Sequence, residues 1–316
     1  MVQPNLKLPI VVIAGQTGSG KGALARRLAV ELGGEIVVAD SRKIYRGFDI
    51  GTAKPPRAWR TKIAYHVIDC CSPWEKFSAA DYRRLADSAI SDIHSRGKVA
   101  IVAGGTGLYI RTLLRGIIDT PPRSPELRAE LELEEKRRPG WLHRKLESVD
   151  PEAASRLPAS DTMRLVRALE VYLLTGKPIS WHQRNHRFGK ERYRALMVAP
   201  YWPREELYDR INRRVDAMME QGWLEEVREL LGRGLGPSPA FYTVGYRQLK
   251  EHLEGGLELE RVVEDIKREH RRYARRQRIW FQAEPGLEWI PAPVDEEALV
   301  AKARDFLRLS GSSSRP

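Results

Sequence analysis

The apolar positions of the chain fall into two rhythms, and the alternation between them outlines a fold. Continuous β-branched runs occur at "LPIVVIA" (8–14), "EIVVAD" (35–40) and "KVAIVAGG" (98–105). Runs this short and this uniformly apolar read as strands buried on both faces. "HVIDC" (66–70) reads as a short further strand. Between the runs the period changes to that of a helix. Leu24, Leu28 and Leu32 predict a helix directly after the first strand. "SAADYRRLADSAISDIHS" (78–95) predicts a second, with Ser78 as its N-cap, and a third starts near Thr106. Strands alternating with helices imply a parallel sheet wound on both faces, the doubly wound α/β class. Ligands of such sheets sit beyond the carboxyl ends of the strands, where Gly15, Asp40 and Thr106 fall.

The pattern then changes. From about 121 to 193 no strong strand occurs. "SPELRAELELEEKRR" predicts a charged helix with a solvated Glu face. "DTMRLVRALEVYLLTGKP" predicts a better one, capped by Asp161, with Leu165, Ala168, Leu169, Tyr172 and Leu173 on one side, and stopped by Gly176 and Pro178. This stretch reads as an inserted helical domain, 121–193, between two parts of a sheet core, 1–120 and 194–316. "RALMVAP" (194–200) returns a strand to the sheet, and helices follow at about 203–232, 242–253 and 259–282. The terminal "SGSSSRP" reads as disordered.

Charge adds a partner. The 316 residues include 54 basic against 42 acidic side chains, a net charge of +12, which favours a polyanion. The cysteines are only two, Cys70 and Cys71, adjacent in sequence, which excludes a disulfide scaffold. The apolar run near the start is too short to span a bilayer. The expectation is a soluble protein of the reducing cytoplasm, without a membrane role.

Chemistry concentrates in a few segments. "GQTGSGKG" (15–22) is nearly the phosphate-binding pattern G-x-x-x-x-G-K-[ST]. Between a buried strand and a helix, its amides make a nest for phosphate oxygens, and Lys21 adds a point charge. Gly22 stands where a hydroxyl normally meets magnesium. Such loops mostly hold nucleoside triphosphates, so a kinase or ATPase is the default reading. Asp40, at the end of a strand read as lying directly beside the loop, fits a metal ligand, a proton acceptor or a helix cap equally well. Arg210 and Arg214 lie one helical turn apart, beside the apolar stripe Leu207, Ile211, Val215 and Met218. They form either a solvated basic face or a guanidinium clamp on anionic oxygens. "IKREHRRYARRQRIWF" (266–281) carries seven cations, in rows 267/271/275 and 268/272/276, interleaved with Tyr273, Trp280 and Phe281. Such rows repel themselves, and a phosphate backbone would relieve that. Arg164 and Arg167 would extend the same track, and "TVGYRQ" (243–248) offers a ring, an amide and a guanidinium in a short loop. His182 and His186 have metal-ligand spacing without a third ligand, so no protein-ligated metal site is assigned.

Taken in order, "GQTGSGKG", "DSRKIYRGFDIGTAKP", "FSAADYRRLA", "GGTGLY", "RLVRALEVYLLTGKP", "VGYRQ" and "RRQRIWF" resemble the tRNA dimethylallyltransferases, also called tRNA isopentenyltransferases. The likeness runs from about residue 10 to 290. It implies transfer of a dimethylallyl group from dimethylallyl diphosphate to N6 of adenosine 37 in tRNAs, on a P-loop core with an inserted helical domain and C-terminal helices. It also implies that the loop holds an isoprenoid diphosphate. Gly15, Gln16, Thr17, Gly18, Ser19, Gly20, Lys21 and Gly22, with Arg210 and Arg214, would hold that group. Asp40 resembles the family's general base and Thr106 its hydroxyl partner. tRNA contacts would fall at Asp40, Ser41, Arg42 and Lys43; at Arg128; and at Met163, Arg164, Leu165, Val166 and Arg167. Others would be Thr243, Val244, Gly245, Tyr246, Arg247 and Gln248, then Arg275, Arg276, Gln277, Arg278, Ile279, Trp280, Phe281 and Gln282. Mg2+ is the expected cofactor, and tRNA and dimethylallyl diphosphate are the expected partners of a monomer. Three positions depart from the family's habit: Gly22 for Ser or Thr, Lys43 for Gln, and Tyr65 before His66. The rival readings are a P-loop nucleotide kinase, an isopentenyltransferase acting on free adenine nucleotides, and a tRNA-binding protein without catalysis.

Overall fold

Among the described residues six parallel strands form one sheet, and the four at Pro9–Ala14, Gly34–Ala39, Val99–Gly104 and Arg194–Tyr201 carry runs of buried apolar residues. The structure is a computed structural model that describes residues 7–118, 120–186 and 191–311. It divides into two compact units, 1–114 with 192–316, and 115–191. The boundaries read from the sequence were 120/121 and 193/194.

In the first unit the chain runs β1 (Pro9–Ala14), α1 (Lys21–Leu32), β2 (Gly34–Ala39), α2 (Arg57–Arg60), β3 (Tyr65–His66), α3 (Ala79–Ser95), β4 (Val99–Gly104) and α4 (Gly107–Arg115). Ser78 caps α3 through a reciprocal box with Asp81. The second unit is helical: α5 (Pro125–Arg137), α6 (Trp141–Val149), α7 (Pro151–Ala154), α8 (Thr162–Thr175) and α9 (Ile179–His186). Asp161 caps α8, and Gly176 ends it in left-handed backbone. The core of this unit gathers Leu131, Leu142, Leu146, Leu165 and Leu169. The first unit resumes with β5 (Arg194–Tyr201), α10 (Arg204–Glu220), α11 (Trp223–Gly232), α12 (Tyr246–Leu253), α13 (Leu259–Gln282), β6 (Leu287–Pro291) and α14 (Glu296–Gly311).

The strand order is β3-β2-β4-β1-β5-β6, every pair parallel. Val12 sits opposite Val102 on one side and Met197 on the other, both strands pairing directly with β1. One face packs Val11, Ile13, Leu24, Leu28 and Ile101 together with Leu299 and Val300 of α14.

This topology corrects several expectations. β2 is not beside the loop strand, because β4 lies between them. Glycine permits that closeness: a Cβ on Gly104 would lie 1.9 Å from the Ala39 carbonyl oxygen. β3 stops at His66 because Val67 and Asp69 take left-handed backbone, φ 58° and 52°. The helix expected over 203–232 breaks at Gly222 into α10 and α11. The one expected from 242 begins at Tyr246, after a 3₁₀ turn at Pro239–Tyr242. β6 and α14 had no counterpart in the sequence reading. Of the tail read as disordered, Ser310 and Gly311 end α14, and 312–316 lie outside the described residues.

Candidate active site

The chain leaves β1 at Gly15 and passes Gly18 and Gly20 in left-handed backbone, φ 78° and 88°, which side chains rarely tolerate. It enters α1 at Lys21. The loop is tied down from several directions. The Thr17 amide donates to Gln277 Oε1 at 2.8 Å, and Gln16 Nε2 donates to the Ala274 carbonyl at 3.0 Å. Trp202 Nε1 donates to the Ser19 carbonyl and Arg210 Nε to the Gly18 carbonyl, each at 3.0 Å. What remains facing outward is the start of a twelve-residue helix, whose first amides have no intrahelical partner and favour an anion.

That helix start opens on a cleft of about 1080 Å³ within the first unit. Thr17, Gly18, Gly20, Lys21 and Gly22 line it, joined by Asp40 and Lys43 after β2, Arg214 from α10, and Tyr273 and Gln277 from α13. Gly15, Gln16 and Ser19 are not in its lining. Arg210 is not either: its guanidinium lies 4.2 Å above the Trp202 ring and braces the loop from outside. Thr106 sits next to the Asp40 turn, where its Oγ1 accepts from the Ser41 amide at 3.0 Å. Thus Asp40, Lys21 and Arg214 line one cleft, although β4 separates the strands before Asp40 and Lys21, and Thr106, not itself in the lining, is fixed beside the Asp40 turn.

The local electrostatics follow from this crowding. Asp40 Oδ1 accepts from the amides of Arg42 at 2.9 Å and Lys43 at 3.4 Å, which fixes the carboxylate on its turn. Its Oδ2 takes no hydrogen bond among the described residues. Withdrawal from water and the charge of Arg214 push Lys21 down to about 7, with Asp40 acting against them. Lys43 is pushed down to about 8, chiefly by the same withdrawal, again opposed by Asp40. Arg214 is lowered by burial, and its Nε is buried without a hydrogen-bond partner. Tyr273 is raised to about 12 by burial and by Asp40.

Gln277 is a residue whose part the sequence reading missed. It was grouped with polar tRNA contacts. In the structure it is buried, with its Oε1 on the loop and its Nε2 donating to the Gly105 carbonyl at 2.9 Å. It therefore staples the phosphate loop to the "GGTG" turn. The signal was available: 262, 266, 270, 274, 277 and 281 form the buried stripe of α13, and a Gln in such a stripe needs partners. A second missed set holds the "YRGFDIGTAKP" segment. Glu226 accepts from the amides of Asp49 (3.0 Å) and Ile50 (2.8 Å) and from Tyr246 Oη (2.5 Å). Lys54 Nζ reaches the Tyr45 carbonyl, Asp49 and Asp69. A Cβ on Gly51 or Gly245 would strike the Trp223 ring, at 2.2 and 2.0 Å, so both motif glycines are set by packing.

The remaining residues assigned to tRNA divide by burial. Leu165, Val166, Thr243, Gly245, Tyr246, Gln248 and Phe281 are buried and build the scaffold. Gln248 Oε1 accepts from the Gly245 amide at 2.8 Å. Arg128 and Arg167 both bond the buried Glu170, at 3.1 and 2.7 Å. Met163, Arg164, Arg247, Arg275, Arg276, Ile279 and Gln282 are exposed, and Ser41, Arg42, Lys43, Val244, Arg278 and Trp280 are half-buried. On α13 the cations are not uniform. Lys267 pairs with Asp216 and Glu264, Arg268 with Asp265, and Arg272 with Glu269. Arg271 bonds Asn212. The self-repulsion read from the sequence is therefore largely relieved by acids placed three residues before their partners. Arg275, Arg276 and Arg278 have no acidic partner among the described residues.

Metal ligation is weakly provided. Gly22 lines the cleft without a side-chain oxygen, and the acids of the lining, Asp40 and Asp49, sit among cations. No three His, Cys, Asp or Glu side chains gather as a metal site among the described residues. His182 Nε2 faces Thr175 Oγ1 at 3.3 Å.

A nest of loop amides, a helix start and unpaired cations around one carboxylate define a P-loop α/β protein built for a phosphorylated ligand. The sequence profile described as "IPP transferase" matches residues 43–284. The chain is 48% identical to the tRNA dimethylallyltransferase of Syntrophobacter fumaroxidans, covering 94% of this chain and 87% of that one. It is 46% identical to tRNA dimethylallyltransferase 1 of Citrifermentans bemidjiense, over 97% and 100%. Among solved structures, the tRNA isopentenylpyrophosphate transferase of Staphylococcus epidermidis superposes with a TM-score of 0.70 at 34% identity, covering 96% of this chain and 99% of that one. A eukaryotic dimethylallyltransferase described as acting on tRNA gives 0.83 at 28% identity, over 98% and 80%. The chain belongs to the IPP transferase family, whose members include these tRNA dimethylallyltransferases.

Proposed function

We infer that this protein transfers a dimethylallyl group from dimethylallyl diphosphate to N6 of adenosine 37 in tRNA and releases diphosphate. The observation that carries this reading is the single cleft that joins a phosphate-loop helix start to Asp40, within a chain of this family. The loop amides, Lys21 and Arg214 would hold the diphosphate and stabilise charge where it develops as the C–O bond breaks and the electron pair departs with the diphosphate. The exocyclic amine supplies the electrons of the new N–C bond. It is a weak nucleophile, so loss of its proton must accompany attack. Asp40 would take that proton, a role supported by an Oδ1 held by backbone amides and an Oδ2 without a hydrogen bond among the described residues. Thr106, fixed against Ser41, would orient the amine beside it. Arg210 serves the loop's shape rather than the ligand.

The target adenosine is turned out of the anticodon loop to reach such a cleft, at low cost for an unpaired base. The exposed Arg275 and Arg276 on α13, and Arg164 and Met163 on α8, support contact with RNA. Magnesium would supply further positive charge to the departing diphosphate, and among the described residues no cluster of three His, Cys, Asp or Glu side chains would ligate it. No described helix is long and apolar enough to cross a membrane. We place the reaction in the cytoplasm, with its tRNA. The deciding experiment incubates the protein with unmodified tRNA and dimethylallyl diphosphate, digests the RNA and weighs the adenosines. An unmodified digest, with ATP bound in place of the prenyl donor, would favour a kinase.

A further inference from the structure

We propose that Lys43 completes the diphosphate site, so that Lys21, Lys43 and Arg214 together neutralise the donor's diphosphate and hold it without a divalent ion. This rests on the reading of the cleft as a prenyl-diphosphate site and adds a residue and a metal independence to it.

Three observations converge. The first is which cations in the cleft are still free to meet a ligand. Lys21 Nζ donates to the Gln16 carbonyl at 3.0 Å but has no acid partner among the described residues; Lys54 is taken up by Tyr45, Asp49 and Asp69; Arg60 is bound to Asp69; Arg26 lies 5.1 Å over the Trp59 ring; and Arg57 is exposed on the short α2. Lys43 Nζ and the Arg214 guanidinium have no acid and no carbonyl partner among the described residues, and Arg214 Nε is buried in that condition. Buried donors are nearly always satisfied, and an anion bound in the cleft that Arg214 lines would supply the acceptor its Nε lacks. The second is that Lys43 is held in place by its backbone. Its amide donates to Asp40 Oδ1 at 3.4 Å and its carbonyl accepts from the Asp69 amide at 3.1 Å. The ammonium is thus presented from a fixed turn, on the same wall as the proposed base. The third is the loop itself. Position 22 has no oxygen to bring to a cation, and the nearest side-chain atom to a Cβ built there is Arg26 Nη1, at 3.8 Å. A divalent ion would enter a site already crowded with positive charge. An anion would relieve that crowding: the lowered proton affinities of Lys21 and Lys43 both include repulsion from Arg214.

The test is calorimetric binding of inorganic diphosphate, first in EDTA and then in excess magnesium. Wild-type protein is expected to bind in EDTA. Lys43→Gln should bind about tenfold to a hundredfold more weakly there, as when one charged hydrogen bond is lost, and magnesium should restore part of the difference. Lys43→Arg should stay within a few fold of wild type. Thermal melts check folding, which these variants should keep because the Lys43 ammonium makes no bond in the protein. Wild-type binding that vanishes in EDTA would overturn the proposal, and so would a Lys43→Gln titration that superimposes on wild type. Lys21→Ala separates the underlying reading: it should lose diphosphate under both conditions. If it binds as wild type does, the loop is not the diphosphate site at all.

Discussion

Replacing Arg275, Arg276 and Arg278 with Gln removes three cations of the C-terminal half of α13 that have neither an ion pair nor a hydrogen bond within the described residues. If each meets a phosphate, the slope of log K against log salt should shrink by about two to three, at roughly 0.7 to 0.9 per contact. Between 50 and 200 mM salt, contacts of that number account for about a 20- to 40-fold loss of affinity. The assay is anisotropy of a labelled, unmodified anticodon stem-loop titrated at a series of salt concentrations. The matched control replaces Lys267, Arg268 and Arg272, whose charges are already met by Asp216, Glu264, Asp265 and Glu269. Its slope should change by less than about one unit, because a paired cation releases few counterions. Diphosphate affinity should be untouched in both, since none of these side chains lines the cleft. Parallel salt plots for wild type and the first triple variant would refute the reasoning. An equal effect from the control set would show that pairing within the protein does not decide which cations meet RNA.

Other substitutions probe the cleft. Asp40→Asn preserves an oxygen for the Arg42 and Lys43 amides but removes the base, so kcat should fall about 10²–10⁴-fold with tRNA affinity little changed; an undiminished kcat would remove Asp40 from the chemistry. Gln277→Ala leaves the Thr17 amide and the Gly105 carbonyl without partners, and should cost about 2–4 kcal/mol in denaturant unfolding while weakening donor binding; unchanged stability would mean that water replaces the staple. Lys21 gives a pH signature. Its folded value is lowered to about 7 from the ordinary 10.5, so between those values the unfolded chain binds more protons, and stability attributable to this residue should rise with pH. Thermal melts from pH 7 to 9 should show that rise, Lys21→Met should flatten it, and saturating inorganic diphosphate should suppress it by restoring the charged form. A Lys21→Met profile that parallels wild type would count against a depressed lysine.

The phosphate loop was legible because its signal is local: a buried strand, spaced glycines and an amphipathic helix leave few alternatives. Asp40 and Thr106 were legible as strand ends, yet their neighbourhood was not. Strand order depends on which crossover lies over which face, and nothing within "EIVVAD" says that β4 intervenes between β2 and β1. Specificity of α13 was legible only in bulk. Its cations stand out by count, but which are spent on acids is decided by side-chain directions and by α10, which supplies Asp216 and Asn212. Gln277 was misread for a related reason: flanked by Arg276 and Arg278, it looks like part of a polar run. Its place is set instead by the spacing of Ile266, His270, Ala274 and Phe281, all buried. One helix therefore presents two different faces, with Gln277 and Tyr273 turned to the cleft and Arg275 and Arg276 exposed. Because both faces ride on one helix, any RNA met by the outer cations would share a reference frame with the loop held by Gln277. The helix backbone between the two sets of side chains would then limit how far the incoming amine can stray from the diphosphate.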